Sequence, residues 1–265
     1  MTRSLLGWLA VPLLAYGAVL AALWWGQERL IFRPTPLPPD APLAQAPDIH
    51  EHWVEVDGAR LSVLALRLPA PKGVVFYLHG NAGNLATWFT AADFYRRANF
   101  DLVMLDYRGY GKSSGRIGSE AQLHADVRAV WRATAPRYAG QRVVLFGRSL
   151  GSGLAASLAA EIQPDLTVLV SPYTSLQALA RAHYPWVPGA LLRYPVRTDL
   201  WLPQVRGPVL LLHGAEDALI PPAHARALAE RVPHAALHLV PGAGHNDLHL
   251  FEAYLAPLRE ALARL

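Results

Sequence analysis

The chain has 265 residues, no cysteine, a formal charge of +4 and a pI near 9.5. Without cysteine there is no disulfide, no thiolate nucleophile and no cysteine-ligated metal. The basic excess is almost all arginine, with Lys72 and Lys112 the only lysines, and it is scattered, which argues against a nucleic-acid-binding patch.

Ser4 to Gly26 carries no charge and is mostly Leu, Ala, Val and Trp. As a helix these residues would reach about 34 Å, enough to cross a hydrocarbon core of roughly 30 Å. Trp24 and Trp25 close the stretch, where indoles favour the membrane interface. Residues 4–26 are therefore expected to form a single-pass membrane anchor. A cleaved signal peptide fits less well, because the stretch exceeds a usual apolar region and no A-x-A site precedes Gln27. A buried core helix fits less well too, because no polar face breaks the apolar surface. Arg3 and the terminal amine before the span nearly balance Arg29 and Arg33 after it, so the side on which the domain lies stays open.

Residues 27–49 include Arg33-Pro34-Thr35-Pro36-Leu37-Pro38-Pro39 and read as a stiff proline-rich spacer. It would hold the domain off the membrane or pack along its surface. Residues 50–265 read as one domain. His52–Val56 and Leu61–Leu66 flank an Asp57-Gly58 turn and predict a hairpin. Apolar strands then alternate with helices. Strands are expected at Val74–Leu78, Leu102–Leu105, Val143–Phe146, Leu166–Val170, Pro208–Leu212 and Leu237–Val240. Helices are expected at Leu85–Ala98, Glu120–Thr134, after Ser149, at Ala223–Arg231 and at Asp247–Arg264. The pattern predicts an α/β fold whose eight-stranded, mostly parallel sheet carries helices on both faces. Residues 173–207, rich in proline and aromatics, fall outside the alternation and read as a small apolar cap beside the site. Each aromatic, taken singly, would as readily be ordinary packing.

Functional groups in such a sheet gather at the carboxyl ends of the strands. Gly147-Arg148-Ser149-Leu150-Gly151 lies between a strand and a small-residue helix, the context of a nucleophile elbow. Five letters alone would also fit a turn serine capping a helix. Serine needs a base, and His245, in the glycine-rich loop before the last helix, is the best placed of eleven histidines. His79 and His213 each open an HG turn and are expected to hold backbone; His249 should fall in the helix. Asp217, after the seventh strand, is the expected acid, with Glu216 as substitute and Asp247 a helix-start residue. The order Ser149, Asp217, His245 is that of α/β-hydrolase triads. The backbone N–H groups of Asn81 and Leu150 are the candidate oxyanion donors.

Several motifs occur in order along nearly the whole chain. They are Leu30-Ile31-Phe32-Arg33-Pro34, the HGNAGN loop at His79, Asp106 to Gly115, Gly147 to Gly153, Ser171-Pro172-Tyr173-Thr174-Ser175-Leu176, and Gly244-His245-Asn246-Asp247. Together they resemble the Bem46-type α/β-hydrolases, a group that includes bacterial YfhR-like proteins and is related to the mammalian α/β-hydrolase-domain 13 and 17 groups. The resemblance implies the α/β-hydrolase fold and carries the triad onto Ser149, Asp217 and His245. It includes esterases, depalmitoylating thioesterases and peptidases, so it leaves the substrate open.

Gly111-Lys112-Ser113 mimics the end of a P-loop, but Asp106 stands where the first glycine is required. No histidine spacing suggests a metal, and no cofactor is expected. The expected partners are a small-molecule or acyl-chain substrate and the membrane, without nucleic acid. A membrane-anchored serine hydrolase acting on esters or thioesters is the expected function. The alternatives are a peptidase or amidase with the same triad, a catalytically silent membrane-tethered binding module, and a soluble enzyme freed of residues 1–26.

Overall fold

A computed structural model describes the chain from Thr2 to Leu265, with side chains from Ala10 onward. Met1, whose amine entered the charge comparison, and the side chain of Arg3 lie outside the described residues. The first helix, α1 (Thr2–Ile31), is long and apolar, and it runs five residues past the expected end of the span. Its last turns dock on the chain between residues 191 and 194. The Gln27 amide donates to the Leu191 carbonyl (3.3 Å) and accepts from the Arg193 N–H (2.8 Å). Glu28 takes an ion pair from Arg193 and a hydrogen bond from the Tyr194 hydroxyl at 2.8 Å.

The proline-rich stretch follows the second of its two expected courses and packs along the domain. Arg33 N–H donates to Asn81 O, Thr35 N–H to Gly83 O, and Leu37 N–H to Gly111 O, at 2.8–3.0 Å. Proline restricts this segment to an extended course, which presents the intervening N–H groups to a neighbouring edge.

The sheet has eight strands: β1 (Ile49–Val56), β2 (Ala59–Leu66), β3 (Gly73–Leu78), β4 (Asp101–Leu105), β5 (Arg142–Arg148), β6 (Leu166–Val170), β7 (Val209–Gly214) and β8 (Ala235–Val240). Their order is β8-β7-β6-β5-β3-β4-β2-β1. β2 runs against both neighbours and the other pairings are parallel. β3, β4, β6 and β7 are buried along their whole length, which is why they read as continuous apolar runs rather than alternations. Alternation along β3 sends Val74, Phe76 and Leu78 into the core beneath α4 (Glu120–Thr134), α5 (Leu150–Ile162) and α8 (Ala223–Arg231). Val75 and Tyr77 enter the core beneath α3 (Ala92–Ala98) and α9 (Glu252–Ala263).

Two expected helices are interrupted. Leu85–Ala98 divides into a single turn, α2 (Leu85–Trp88), and α3. The turn is capped by Asn84, whose side chain accepts from Ala86 N–H. The last helix begins at Glu252 rather than Asp247, after a short 3-10 turn at Leu248–Leu250 and an extended Phe251. Residues 173–207 hold α6 (Leu176–His183), the single-turn α7 (Thr198–Trp201) and short turns. Their aromatics divide, with Tyr194 buried and Tyr184 and Trp186 exposed. Beneath the hairpin, Arg108 pairs in a two-pronged contact with Asp126 at 2.6 and 2.9 Å, and both side chains are buried.

The junction of β5 and α5 is closed against β3. A Cβ at Gly151 would overlap the carbonyl of Leu78, and one at Gly147 would overlap the Gly151 carbonyl and the Ala155 methyl. Gly151→Ala must push α5 off β3, so it is expected to cost about 3 kcal/mol, the upper end for overpacking. Urea unfolding of the two proteins would measure it.

Candidate active site

Ser149 sits at the tip of the closed junction with φ 53° and ψ −121°. A non-glycine residue there carries strain on the order of 1–3 kcal/mol. The residue occupies the N-cap position of α5, yet its side chain makes no capping hydrogen bond. That removes the helix-capping reading. The hydroxyl instead lies 3.2 Å from His245 Nε2. On the far side of the ring, His245 Nδ1 is 2.7 Å from Asp217 Oδ2. The three residues expected from their order in the chain, far apart in sequence, therefore meet in one hydrogen-bonded line.

Asp217 is held by more than His245. Its Oδ1 accepts the N–H groups of Leu219 (3.0 Å) and Ile220 (2.8 Å), and His213 Nε2 lies 3.4 Å from Oδ2. Burial alone would raise the Asp217 carboxyl. Hydrogen bonds from His213, His245 and the Ile220 N–H outweigh it and hold the group well below the usual carboxylate range. Asp217 is thus an anion over the whole working pH range, and an anion there accepts the His245 Nδ1 proton. That leaves the Nε2 lone pair facing Ser149.

Leu150 is the first residue of α5, so its N–H has no acceptor within the helix. The loop after β3 brings Asn81 to the same end of the sheet. Its carbonyl accepts from Arg33 N–H (2.8 Å) and the Tyr110 hydroxyl (2.7 Å), and its side chain donates to Ile31 O (2.9 Å). These bonds hold the residue whose N–H was expected as a donor.

The other residues weighed in the sequence take supporting places. His79 Nδ1 lies 2.8 Å from Gly80 O, and His213 Nε2 lies 2.8 Å from Ile220 O, so each ring braces its own turn. Asp247 Oδ1 accepts the Gly244 N–H at 2.7 Å and shapes the His245 loop. Glu216 is exposed, and His249 lies in the 3-10 turn before α9. Lys112 of the mock P-loop pairs with Glu51 at 2.8 Å.

Sequence reasoning missed Arg148. Its guanidinium reaches across to the carbonyls of His245 (3.1 Å) and Asn246 (3.3 Å) and sits 5.4 Å from the Trp88 ring. Burial pushes the neighbouring Tyr77 phenol up to about 12, against the pull of that guanidinium. The elbow motif leaves this position unspecified, so no signal short of the fold marks it.

Comparison with known proteins agrees with this architecture. Residues 69–199 match a family model described as serine aminopeptidase, S33, and residues 196–251 match one described as alpha/beta hydrolase fold. An uncharacterized protein of Mycobacterium tuberculosis is 34% identical over 263 residues, spanning 92% of this chain and 90% of the relative. Alpha/beta hydrolase domain-containing protein 17B of Xenopus laevis is 34% identical over 214 residues, 78% of this chain and 72% of that one. An esterase of Pyrococcus furiosus superposes with a TM-score of 0.70 at 18% identity, covering 88% of this chain and 97% of the esterase. With this identity sustained over nearly the whole length, the chain belongs to the α/β-hydrolase family, in the Bem46-type group with the domain-17 proteins.

Proposed function

We propose that the protein is a membrane-anchored serine hydrolase that cleaves carboxylic esters or acyl thioesters through an acyl-enzyme on Ser149. The observation that carries this reading is the line Ser149 Oγ, His245 Nε2, His245 Nδ1, Asp217 Oδ2, at 3.2 and 2.7 Å. In the reaction, Ser149 Oγ attacks the acyl carbon as His245 Nε2 takes its proton. The carbonyl electron pair moves onto oxygen, where the N–H groups of Leu150 and Asn81 meet it, each worth about 2.7–4 kcal/mol of barrier. Collapse expels the alcohol or thiol, which takes the proton back from His245. Water then repeats the cycle and frees the acid. Asp217 keeps the tautomer and stabilises the imidazolium.

The long apolar helix α1 supports the anchor, and the span assigned to it is residues 4–26, with 27–49 as the connection, 50–265 as the hydrolase domain and 173–207 as its cap. A second reading, peptidase or amidase action, is favoured by the serine-aminopeptidase family model. Turnover of an ester and the amide with the same acyl group separates the two. The proposal expects the ester to be turned over and the amide to show no measurable cleavage, whereas cleavage of both would favour the peptidase.

Ser149→Ala is expected to abolish p-nitrophenyl ester turnover and fluorophosphonate labelling while the unfolding midpoint is retained. His245→Ala should lose the labelling as well. Unchanged turnover in Ser149→Ala would overturn the assignment of the nucleophile, and no labelling of the folded wild-type protein would favour the silent binding module.

Asp217→Asn should lower kcat by about 10⁴-fold, through the wrong tautomer of His245. It should also change the acid side of the stability profile. The folded carboxyl lies below its unfolded value, so its contribution is complete above about pH 4 and is lost as pH falls toward the depressed value. Urea unfolding at pH 5 and pH 3 should show wild type losing stability over that interval more steeply than Asp217→Asn.

A further inference from the structure

Resting on the reading of α1 as a membrane anchor, we infer that the tip of the cap, Tyr184-Pro185-Trp186-Val187-Pro188, is itself a lipid-insertion element, carried into the bilayer by its contact with α1. The Tyr16 hydroxyl donates to the Trp186 carbonyl at 2.8 Å. Trp24, the residue suited to the interface, lies eight residues further along the same helix. Tyr16 is therefore about 12 Å deeper along the helix axis, and a tilt of about 20° barely reduces that. An anchor docked in this way cannot stand clear of the domain as a stalk. It draws Trp186 to or just beyond the depth of about 5–10 Å that interfacial apolar elements occupy.

The surface of the tip suits that depth. Tyr184 is 57% and Trp186 51% exposed, whereas Tyr194 of the same segment is fully buried. On α1, Val11, Leu13, Leu14 and Val19 are exposed as well, on different sides of the helix. The polar contacts of Gln27 and Glu28 with Leu191, Arg193 and Tyr194 lie on the water side of Trp24.

Most of the tip's backbone is paired within the chain, the Trp186 N–H and the Pro185 and Val187 carbonyls excepted among the described residues. Hydrocarbon offers no hydrogen-bond partner, and each unsatisfied peptide group there costs several kcal/mol. Pro185 and Pro188 have no N–H to satisfy. The Tyr184 N–H donates to Ala180 O (2.7 Å) and the Val187 N–H to Tyr184 O (3.0 Å). The Trp186 carbonyl is taken by Tyr16, so the phenol within the span and the carbonyl at the tip satisfy each other.

The absence of native cysteine makes the test direct. Full-length Val19→Cys, Tyr184→Cys, Trp186→Cys and Gln141→Cys would each carry one environment-sensitive NBD label. Each would be reconstituted in phosphatidylcholine vesicles with and without acyl-chain nitroxide lipid. Position 141 is exposed at the start of β5, the end of the strand away from Ser149. Labels at 19, 184 and 186 should lose emission roughly two-fold with nitroxide lipid, as for groups at acyl-chain depth, while the label at 141 keeps it. Tyr184→Cys leaves Trp186 in place, so the result does not depend on one substitution. Quenching at 19 with none at 184 or 186 would overturn the insertion element and leave the anchor standing. No quenching at 19 would overturn the anchor reading and the insertion element with it.

Discussion

The close approach of α5 to β3 is the constraint on which the site depends. Gly151 lies so near the Leu78 carbonyl that no side chain fits between them. That contact presses the start of α5 onto the carboxyl end of β3, and two consequences follow from it. Ser149 is squeezed out of regular backbone into φ 53°, so its hydroxyl projects beyond the sheet rather than capping its own helix. The loop leaving β3, with Asn81 in it, is brought beside the first N–H of α5. The loop after β3 and the start of α5, two separate chain segments, are thus set together by one steric exclusion, before any side-chain interaction is counted.

Electrostatics completes what the steric contact begins. A buried carboxylate is costly unless several donors meet it. Asp217 meets two backbone N–H groups and the His245 ring, with His213 close by. His213 Nε2 lies 2.8 Å from Ile220 O and 3.4 Å from Asp217 Oδ2, so its one proton is shared between the carbonyl and, at longer range, the carboxylate. The turn from Asp217 to Ile220 is therefore held at both ends, by the carboxylate and by the histidine. This leaves the carboxylate one direction in which to accept strongly, toward His245. Arg148 fixes the other side of the same loop through the His245 and Asn246 carbonyls.

Much of this was legible in the sequence, for physical reasons that differ from element to element. β3, β4, β6 and β7 are buried on both faces, and such strands must be written as unbroken apolar runs. Gly147 and Gly151 could be read because their role is steric and local. Asp217 and His245 could be placed because each follows a strand in a fold whose functional loops share one end. The breaks at Thr90 and Phe251 could not, since nothing in the local helix preference of those stretches ends a helix there and packing decides them. The docking of α1 was equally hidden. Its partners lie about 165 residues further along, and the contacts from Gln27 and Glu28 sit in a stretch that reads as spacer.

That docking changes how the N-terminal segment relates to the chemistry proposed for the domain. The carbonyl of Ile31, the last residue of α1, accepts from the Asn81 side chain. Two residues on, the Arg33 N–H donates to the Asn81 carbonyl. Asn81, whose N–H would stabilise the oxyanion, is therefore tied through both its side chain and its carbonyl to the end of the apolar helix and the residues just after it. Glu28, one turn earlier, holds Arg193 and Tyr194 of the cap. A force or tilt applied to α1 by a bilayer would reach the donor loop and the cap together, through bonds a few residues apart. In this fold α1 is better regarded as a part of the candidate site's scaffold than as a segment merely attached to it.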